Sequence, residues 1–294
     1  MEAAGLARAG FPEGRSMTPR QVTGAGGVRL FVREGGNPAG PPLLLLHGWS
    51  QHHLCWSKQF DGRLAEQFRL IAPDLRGHGA SDKPLEPEHY GNSAPWAGDV
   101  AALIEQLGLE RPILVGWSMG GWIVQDYLRV HGDAAIAGAA LIGSSVVTAG
   151  DPEVLAARSP AARAEGAYSE DQGVALRAMV EFVKVCVAAP LPAEDLAFMV
   201  GYNMLCPPQI RRAARTRRED YRADVAAATR PLAVFWGEAE ALCLRSMVDE
   251  TLEAAPRARL FTYAGAGHSP FWEQPEKFDA DLAAFAREAF GASA

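Results

Sequence analysis

The stretch PILVGWSMGGWIVQDYLRV, residues 112–130, joins a branched apolar run to a helical pattern through a turn of small residues around a serine. The run is apolar throughout, as in a strand covered on both faces of a parallel sheet. From Met119 onward, apolar and polar residues alternate at helical spacing. The turn between them, Gly116-Trp117-Ser118-Met119-Gly120, has the form G-x-S-x-G. A strand that passes directly into a helix here must bend sharply, which lifts the Ser118 hydroxyl above the sheet. Gly116 and Gly120 are needed because side chains there would clash where strand and helix cross. Ser118 then stands at a helix N-terminus, where the Met119 amide and the helix dipole favour a developing oxyanion.

Working outward, six more apolar runs read as strands: VRLFV (28–32), PLLLLHG (42–48), FRLIAPD (68–74), IAGAALIG (136–143), PLAVFWG (231–237) and ARLFTYA (258–264). Amphipathic segments separate most of them, including SKQFDGRLAEQ, WAGDVAALIEQLGL, RSMVDETLEAA and EKFDADLAAFAREAF. Strands alternating with helices predict an α/β fold with a mainly parallel sheet. The alternation breaks between 149 and 229, where EDQGVALRAMVEFVKVCVAA and PAEDLAFMVGYNML read as helices and no strand is convincing. That insertion is expected to form a helical lid over the C-terminal edge of the sheet, the edge at which open parallel sheets bind ligands. The expected organisation is a core of 20–148 and 230–294, a lid of 149–229, and a flexible extension of 1–19 in which Met17 is a candidate start.

Composition narrows the function. The 294 residues carry 48% hydrophobic and 21% charged side chains, as in a globular chain. A net charge of −7 argues against nucleic acid as a partner. The basic cluster RRAARTRRED (211–220) reads as a solvated helix face. Cysteines 55, 186, 206 and 243 have neither C-x-x-C pairing nor metal-ligand spacing, so they predict a reduced, cytoplasmic protein with no metal. No apolar run reaches membrane-spanning length, and the first twenty residues lack a signal-peptide apolar region.

Three further motifs accompany the serine turn. LLLLHGWSQ (43–51) is a strand ending in His-Gly-Trp; APDLRGHGASDKP (72–84) is a strand ending in a glycine-rich loop; YAGAGHSPFWEQPEKF (263–278) places His268 after Gly265 and Gly267. In identity and order these motifs resemble the α/β-hydrolase superfamily, and the resemblance covers nearly the whole chain from about residue 20. It implies a doubly wound, mostly parallel eight-stranded sheet with a helical lid after strand 6. It implies Ser118 as nucleophile, His268 as base, and the amides of Trp49 and Met119 as oxyanion donors. His47 is expected to hold its loop, and Asp74 and Arg76 to pair with each other. His78 inherits the same structural role as that turn. His52 and His53 are expected either in a solvated loop or at the pocket entrance. Trp49, Trp117, Phe271 and Trp272 are candidates for the pocket wall, whereas Trp122 can equally pack within its own helix.

The acid must lie between Ser118 and His268 in this superfamily, at a strand end beside the turn. ALIGSSVV (140–147) offers only Ser144 and Ser145 there, whereas FWGEAEALC (235–243) offers two glutamates. Relatives commonly read W-G-x-x-D at this place. The chain reads W-G-E-A-E, so the resemblance assigns the acid to Glu240, 28 residues before His268, with Glu238 and Asp249 as competitors. Glu238 is expected to cap or pair locally.

Serine, histidine and an acid with two backbone donors support acyl transfer through an acyl-enzyme, without a cofactor. The expected reaction is hydrolysis of a small or medium carboxylic ester. The wording of the motifs is similar to the branch of cofactor-free haloperoxidases, arylesterases and perhydrolases, which makes peracid formation an alternative. Lactone hydrolysis would use the same residues. Two rival classes are cofactor-independent dioxygenation, for which HGWSQHH is a faint signal, and ligand binding without catalysis. Oligomeric state is not legible in the sequence.

Overall fold

In a computed structural model of the chain, residues 18–148 and 161–291 are described. Eight strands form one sheet in the order β1-β2-β4-β3-β5-β6-β7-β8. They are β1 (Thr18–Thr23), β2 (Arg29–Gly36), β3 (Pro42–Leu46), β4 (Arg69–Pro73), β5 (Ile113–Trp117), β6 (Gly138–Ile142), β7 (Leu232–Gly237) and β8 (Arg259–Tyr263). β1 and β4 each pair antiparallel with β2, and every other neighbouring pair is parallel. The sheet is therefore the mostly parallel α/β-hydrolase sheet that the motifs implied.

Burial explains why the central strands read as unbroken apolar runs. Leu44, Leu46, Leu114 and Leu141 point into one core, while Leu43, Leu45, Ile113, Val115 and Ile142 point into the other. Successive residues face opposite sides, and helices cover both. β1, TPRQVT, has no such pattern: Val22 is buried, whereas Pro19, Arg20, Gln21 and Thr23 are exposed. An edge strand needs only one apolar anchor and tolerates proline. That is why β1, whose first two residues fall within the expected 1–19 extension, escaped the reading of apolar runs. Met17 lies outside the described residues.

Between β6 and β7 the described residues form helices Gln172–Val185, Ala193–Asn203, Pro208–Ala214 and Arg222–Ala227. Pro208 opens its helix at the first turn, where a missing N–H costs nothing. These helices contact the loop that follows β3: the Trp49 indole donates to the Arg211 carbonyl at 2.8 Å, and the Ser50 hydroxyl donates to the Asn203 carbonyl at 3.1 Å.

The basic cluster corrects one expectation. Arg211 and Arg217 are fully buried rather than solvated. Arg211 donates to the carbonyls of Ala167 (3.0 Å) and Asn203 (2.8 Å) and to the Ser50 hydroxyl (3.0 Å), which ties the helices to the β3 loop. Arg217 pairs with Asp126 of the helix Met119–His131, and Tyr221 donates to the same carboxylate at 2.6 Å. Helical spacing shows which residues share a face, but not which face another element covers.

Candidate active site

The turn at Ser118 is as tight as its sequence requires. Ser118 has φ 55°, ψ −117°, a left-handed conformation rare outside glycine. A Cβ on Gly120 would lie 2.2 Å from the Leu46 carbonyl, and one on Gly116 would lie 2.3 Å from the Gly120 carbonyl. Strand β3, the turn and the helix Met119–His131 are thus in contact through backbone. The same crowding brings the β3 loop to the serine, because a Cβ on Gly48 would lie 3.3 Å from the Ser118 Cβ. Among the described residues, neither the Trp49 nor the Met119 amide makes a hydrogen bond. Two free N–H groups therefore flank Ser118, one from each element.

His268 comes from the loop after β8. Its Nδ1 lies 2.6 Å from Glu240 Oε2, with the histidine ring and the carboxylate both buried. Backbone pairing between the loops after β7 and β8 sets this register. The Glu238 amide donates to Tyr263 at 3.0 Å, and the Ala239 amide donates to Ala266 at 2.9 Å. Gly237 permits the approach, since a Cβ there would lie 2.1 Å from the Gly267 carbonyl. The extra methylene of glutamate is taken up by a local fold-back, in which Glu240 Oε1 accepts the Leu242 amide at 2.7 Å. Glu238 is exposed on the same turn and does not face His268. Its expected local cap or pair is absent among the described residues.

Two side chains hold the histidine loop from behind. The Trp117 indole donates to the His268 carbonyl at 2.8 Å. Glu273 accepts the Gly267 amide and the Ala188 amide, both at 2.7 Å, which links this loop to the end of the helix Gln172–Val185. Sequence reasoning passed over Glu273, although it lies in the quoted GHSPFWEQP.

Ser118 and His268 open on one cleft of about 630 Å³, counting its mouth. Trp49, Trp117 and Trp122 line it, with Phe182 and Met247 adding apolar wall. Trp122 thus does more than pack in its helix, and its indole donates to the Ser145 hydroxyl at 3.3 Å. Phe271 and Trp272, expected on this wall, lie behind it. Phe271 packs against Trp56 and Trp117 with ring centroids 4.4 and 4.9 Å apart, and both residues line a separate, smaller void. The helix Pro270–Glu273 turns them inward, under the histidine loop. Ser144 and Arg215 line the cleft and were not foreseen there; Ser144 was weighed only as a place where an acid was lacking. The Ser144 hydroxyl is buried without a hydrogen-bond partner.

His47, His52, His53 and His78 are buried in the loops after β3 and β4, and their partners differ from those expected. His47 Nε2 accepts the Leu75 amide at 3.0 Å, and His78 Nε2 accepts the Ser50 amide at 3.2 Å, so each braces the loop of the other. Asp74 does not pair with Arg76. It accepts the His53 ring and the His53 and Ala80 amides at 2.8–2.9 Å, with the His52 ring at 3.4 Å. Arg76 turns away to donate two parallel hydrogen bonds to the Asp99 carboxylate, each 2.7 Å, on the helix Ser93–Gln106. Both pairs are buried, where a charge needs a full set of partners. His52 and His53 are accordingly buried beside Asp74, and neither lines the cleft. The cluster His52, His53 and Asp74 has metal-ligand composition. Its hydrogen bonds already engage both Asp74 oxygens, and the His52 Nδ1 accepts the Leu54 amide at 3.2 Å. All four cysteines are buried. No helix among the described residues is long and apolar enough to cross a membrane.

Comparison with known proteins gives the same picture over most of the chain. The model of the alpha/beta hydrolase family matches residues 43–281. The chain is 36% identical to the esterase RhEst1 from Rhodococcus sp. ECU1013, covering 92% of this chain and 98% of that one at a TM-score of 0.82. It is 32% identical to a Burkholderia cenocepacia protein provisionally named an aryl esterase, covering 93% and 100% of the two chains at a TM-score of 0.86. A bifunctional esterase/perhydrolase of Acinetobacter calcoaceticus is 35% identical over 126 residues, 42% of this chain and 44% of that protein.

Proposed function

The chain belongs to the alpha/beta hydrolase family, and within it we propose a serine esterase that cleaves small or medium carboxylic esters through an acyl-enzyme. The observation that carries this reading is the convergence at one cleft: Ser118 and His268 share it, His268 is held by Glu240, and two unpartnered amides stand beside the serine. The likeness to an esterase at 36% identity over nearly full length supports the same chemistry.

In the proposed reaction His268 Nε2 takes the Ser118 proton as Oγ attacks the ester carbonyl. The carbonyl oxygen becomes an oxyanion, held by the amides of Trp49 and Met119. The carbon–oxygen bond then breaks, His268 returns the proton to the leaving alcohol, and the acyl group stays on Ser118. Water enters, gives its proton to His268, and attacks the acyl carbon; the proton returns to Ser118 as the acid leaves. Glu240 fixes the imidazole tautomer and stabilises the imidazolium in both halves. The described helices between Gln172 and Ala227 act in this reading as part of a cap, because Arg211 and Asn203 fasten them to the Trp49 loop. A second reading, peracid formation by the same residues, draws on the partial likeness to an esterase/perhydrolase.

The test is a fluorophosphonate probe with short p-nitrophenyl esters, on the wild type and Ser118→Ala. Labelling and turnover are both expected in the wild type and lost in the variant. An unlabelled, inactive wild type defeats the acyl-enzyme. Hydrogen peroxide with acetate, assayed for peracetic acid, separates the second reading from the first.

A further inference from the structure

Among the described residues lining the Ser118 cleft, Arg215 is the one permanently charged side chain. It follows the helix Pro208–Ala214, and its guanidinium lies 5.1 Å from the centroid of the Trp49 ring. Several arginines near it have their charge met within the protein. Arg217 is paired with Asp126, Arg222 with Asp220, and Arg211 is enclosed by carbonyls. Arg215 is half-buried, and among the described residues no carboxylate or carbonyl takes its N–H groups. A guanidinium lying against an indole keeps its in-plane N–H edge free, and that edge fits a carboxylate with two parallel bonds. Among the described residues, no acidic side chain lines the cleft to compete for it.

Much of the cleft is lined by apolar side chains, Trp122, Leu242 and Met247 among them. The net charge of −7 gives the molecule no general attraction for anions, so selection for one must be local. We propose that the cleft takes esters carrying a second, ionised carboxylate on a short hydrocarbon spacer, which Arg215 binds while the ester carbonyl lies at Ser118. Monoesters of dicarboxylic acids are the class that meets this description. The proposal rests on the serine-esterase reading for its turnover but not for its binding.

The experiment compares p-nitrophenyl hydrogen adipate with p-nitrophenyl hexanoate, which differ in the terminal carboxylate and little in length. The quantity read is the ratio of their kcat/KM values at fixed ionic strength. Replacing Arg215→Gln is expected to lower that ratio by roughly 10–100-fold, the loss of a charged hydrogen-bonded contact. Arg215→Lys should restore part of the ratio, and Arg212→Gln, an exposed neighbour in the same basic stretch, should leave it unchanged. A ratio in Arg215→Gln within twofold of the wild type overturns the proposal, as does an equal fall in Arg212→Gln. Binding of monomethyl adipate and methyl hexanoate to Ser118→Ala, measured by calorimetry with and without Arg215→Gln, needs no turnover. A failed esterase reading gives no turnover of either p-nitrophenyl ester but leaves this binding difference intact. Equal binding of the two methyl esters overturns the assignment of Arg215 while turnover stands.

Discussion

Glu240 uses both carboxylate oxygens, one on His268 Nδ1 at 2.6 Å and one on the Leu242 amide at 2.7 Å. Glu240→Gln keeps the size and loses the charge that would stabilise an imidazolium, so kcat on a p-nitrophenyl ester should fall roughly 10³–10⁴-fold. Glu238→Gln should change it less than about twofold, as for an exposed side chain away from the site. The opposite pair of results would transfer the acid to Glu238. Gly143 is the less obvious residue. It has φ 51°, and a Cβ there would lie 2.9 Å from His268 Nδ1 and 3.1 Å from Glu240 Oε2. Gly143→Ala is expected to shift that pair, lowering kcat by about 10–100-fold, as small misplacements of reacting groups do. The left-handed backbone should cost a further 1–2 kcal/mol or so of stability. An alanine variant with wild-type kcat would show that the His268–Glu240 contact tolerates the methyl.

Elements are joined here by a few buried polar contacts of long sequence separation. Arg217 meets Asp126 across 91 residues, fastening the segment before β7 to the helix that follows Ser118. Asp126→Asn would leave a buried guanidinium without its counter-charge, at a cost of about 3–5 kcal/mol. Urea unfolding should read that loss directly; a change below about 1 kcal/mol would mean that the guanidinium finds water or another partner. Nothing in RRAARTRRED distinguishes Arg211 and Arg217 from their exposed neighbours Arg212 and Arg218. The distinction arises only when Asp126, Ser50 and Asn203 are carried to them by other elements. The helices themselves were legible, because an apolar face at 3.6-residue spacing is written locally. The segment 149–160 of the expected lid lies outside the described residues.

For the molecule as a whole, the buried histidines set the response to acid. Burial holds His52 and His78 down to about 4, from an ordinary 6.5, and also lowers His47. In the folded chain these rings stay neutral while the unfolded chain takes up protons below pH 6.5. Their contribution is therefore fully present above pH 6.5 and is lost as pH falls toward 4, on the order of 3 kcal/mol apiece at most. Asp279 opposes them: burial raises it to about 6, so its ionisation destabilises the folded state as pH rises from about 4 to 6. With His47, His52 and His78 acting against Asp279, the expected direction is falling stability between pH 6.5 and 4, read from urea midpoints across that range. His78→Gln should flatten the slope by about one proton; an unchanged slope would show that His78 does not stay neutral. The sequence by itself determined seven of the sheet's eight strands, the order of the motifs, and the residues at which the strand ends turn, because strand period, helix period and glycine-dependent turns are properties of adjacent residues. Tertiary structure alone decided that Asp74 faces two histidines and Arg76 faces Asp99. It alone set Phe271 and Trp272 behind the cleft, and left Arg215 on its wall. Each of those outcomes depends on which distant element arrives at a given face, and a buried charge takes the partner that packing delivers.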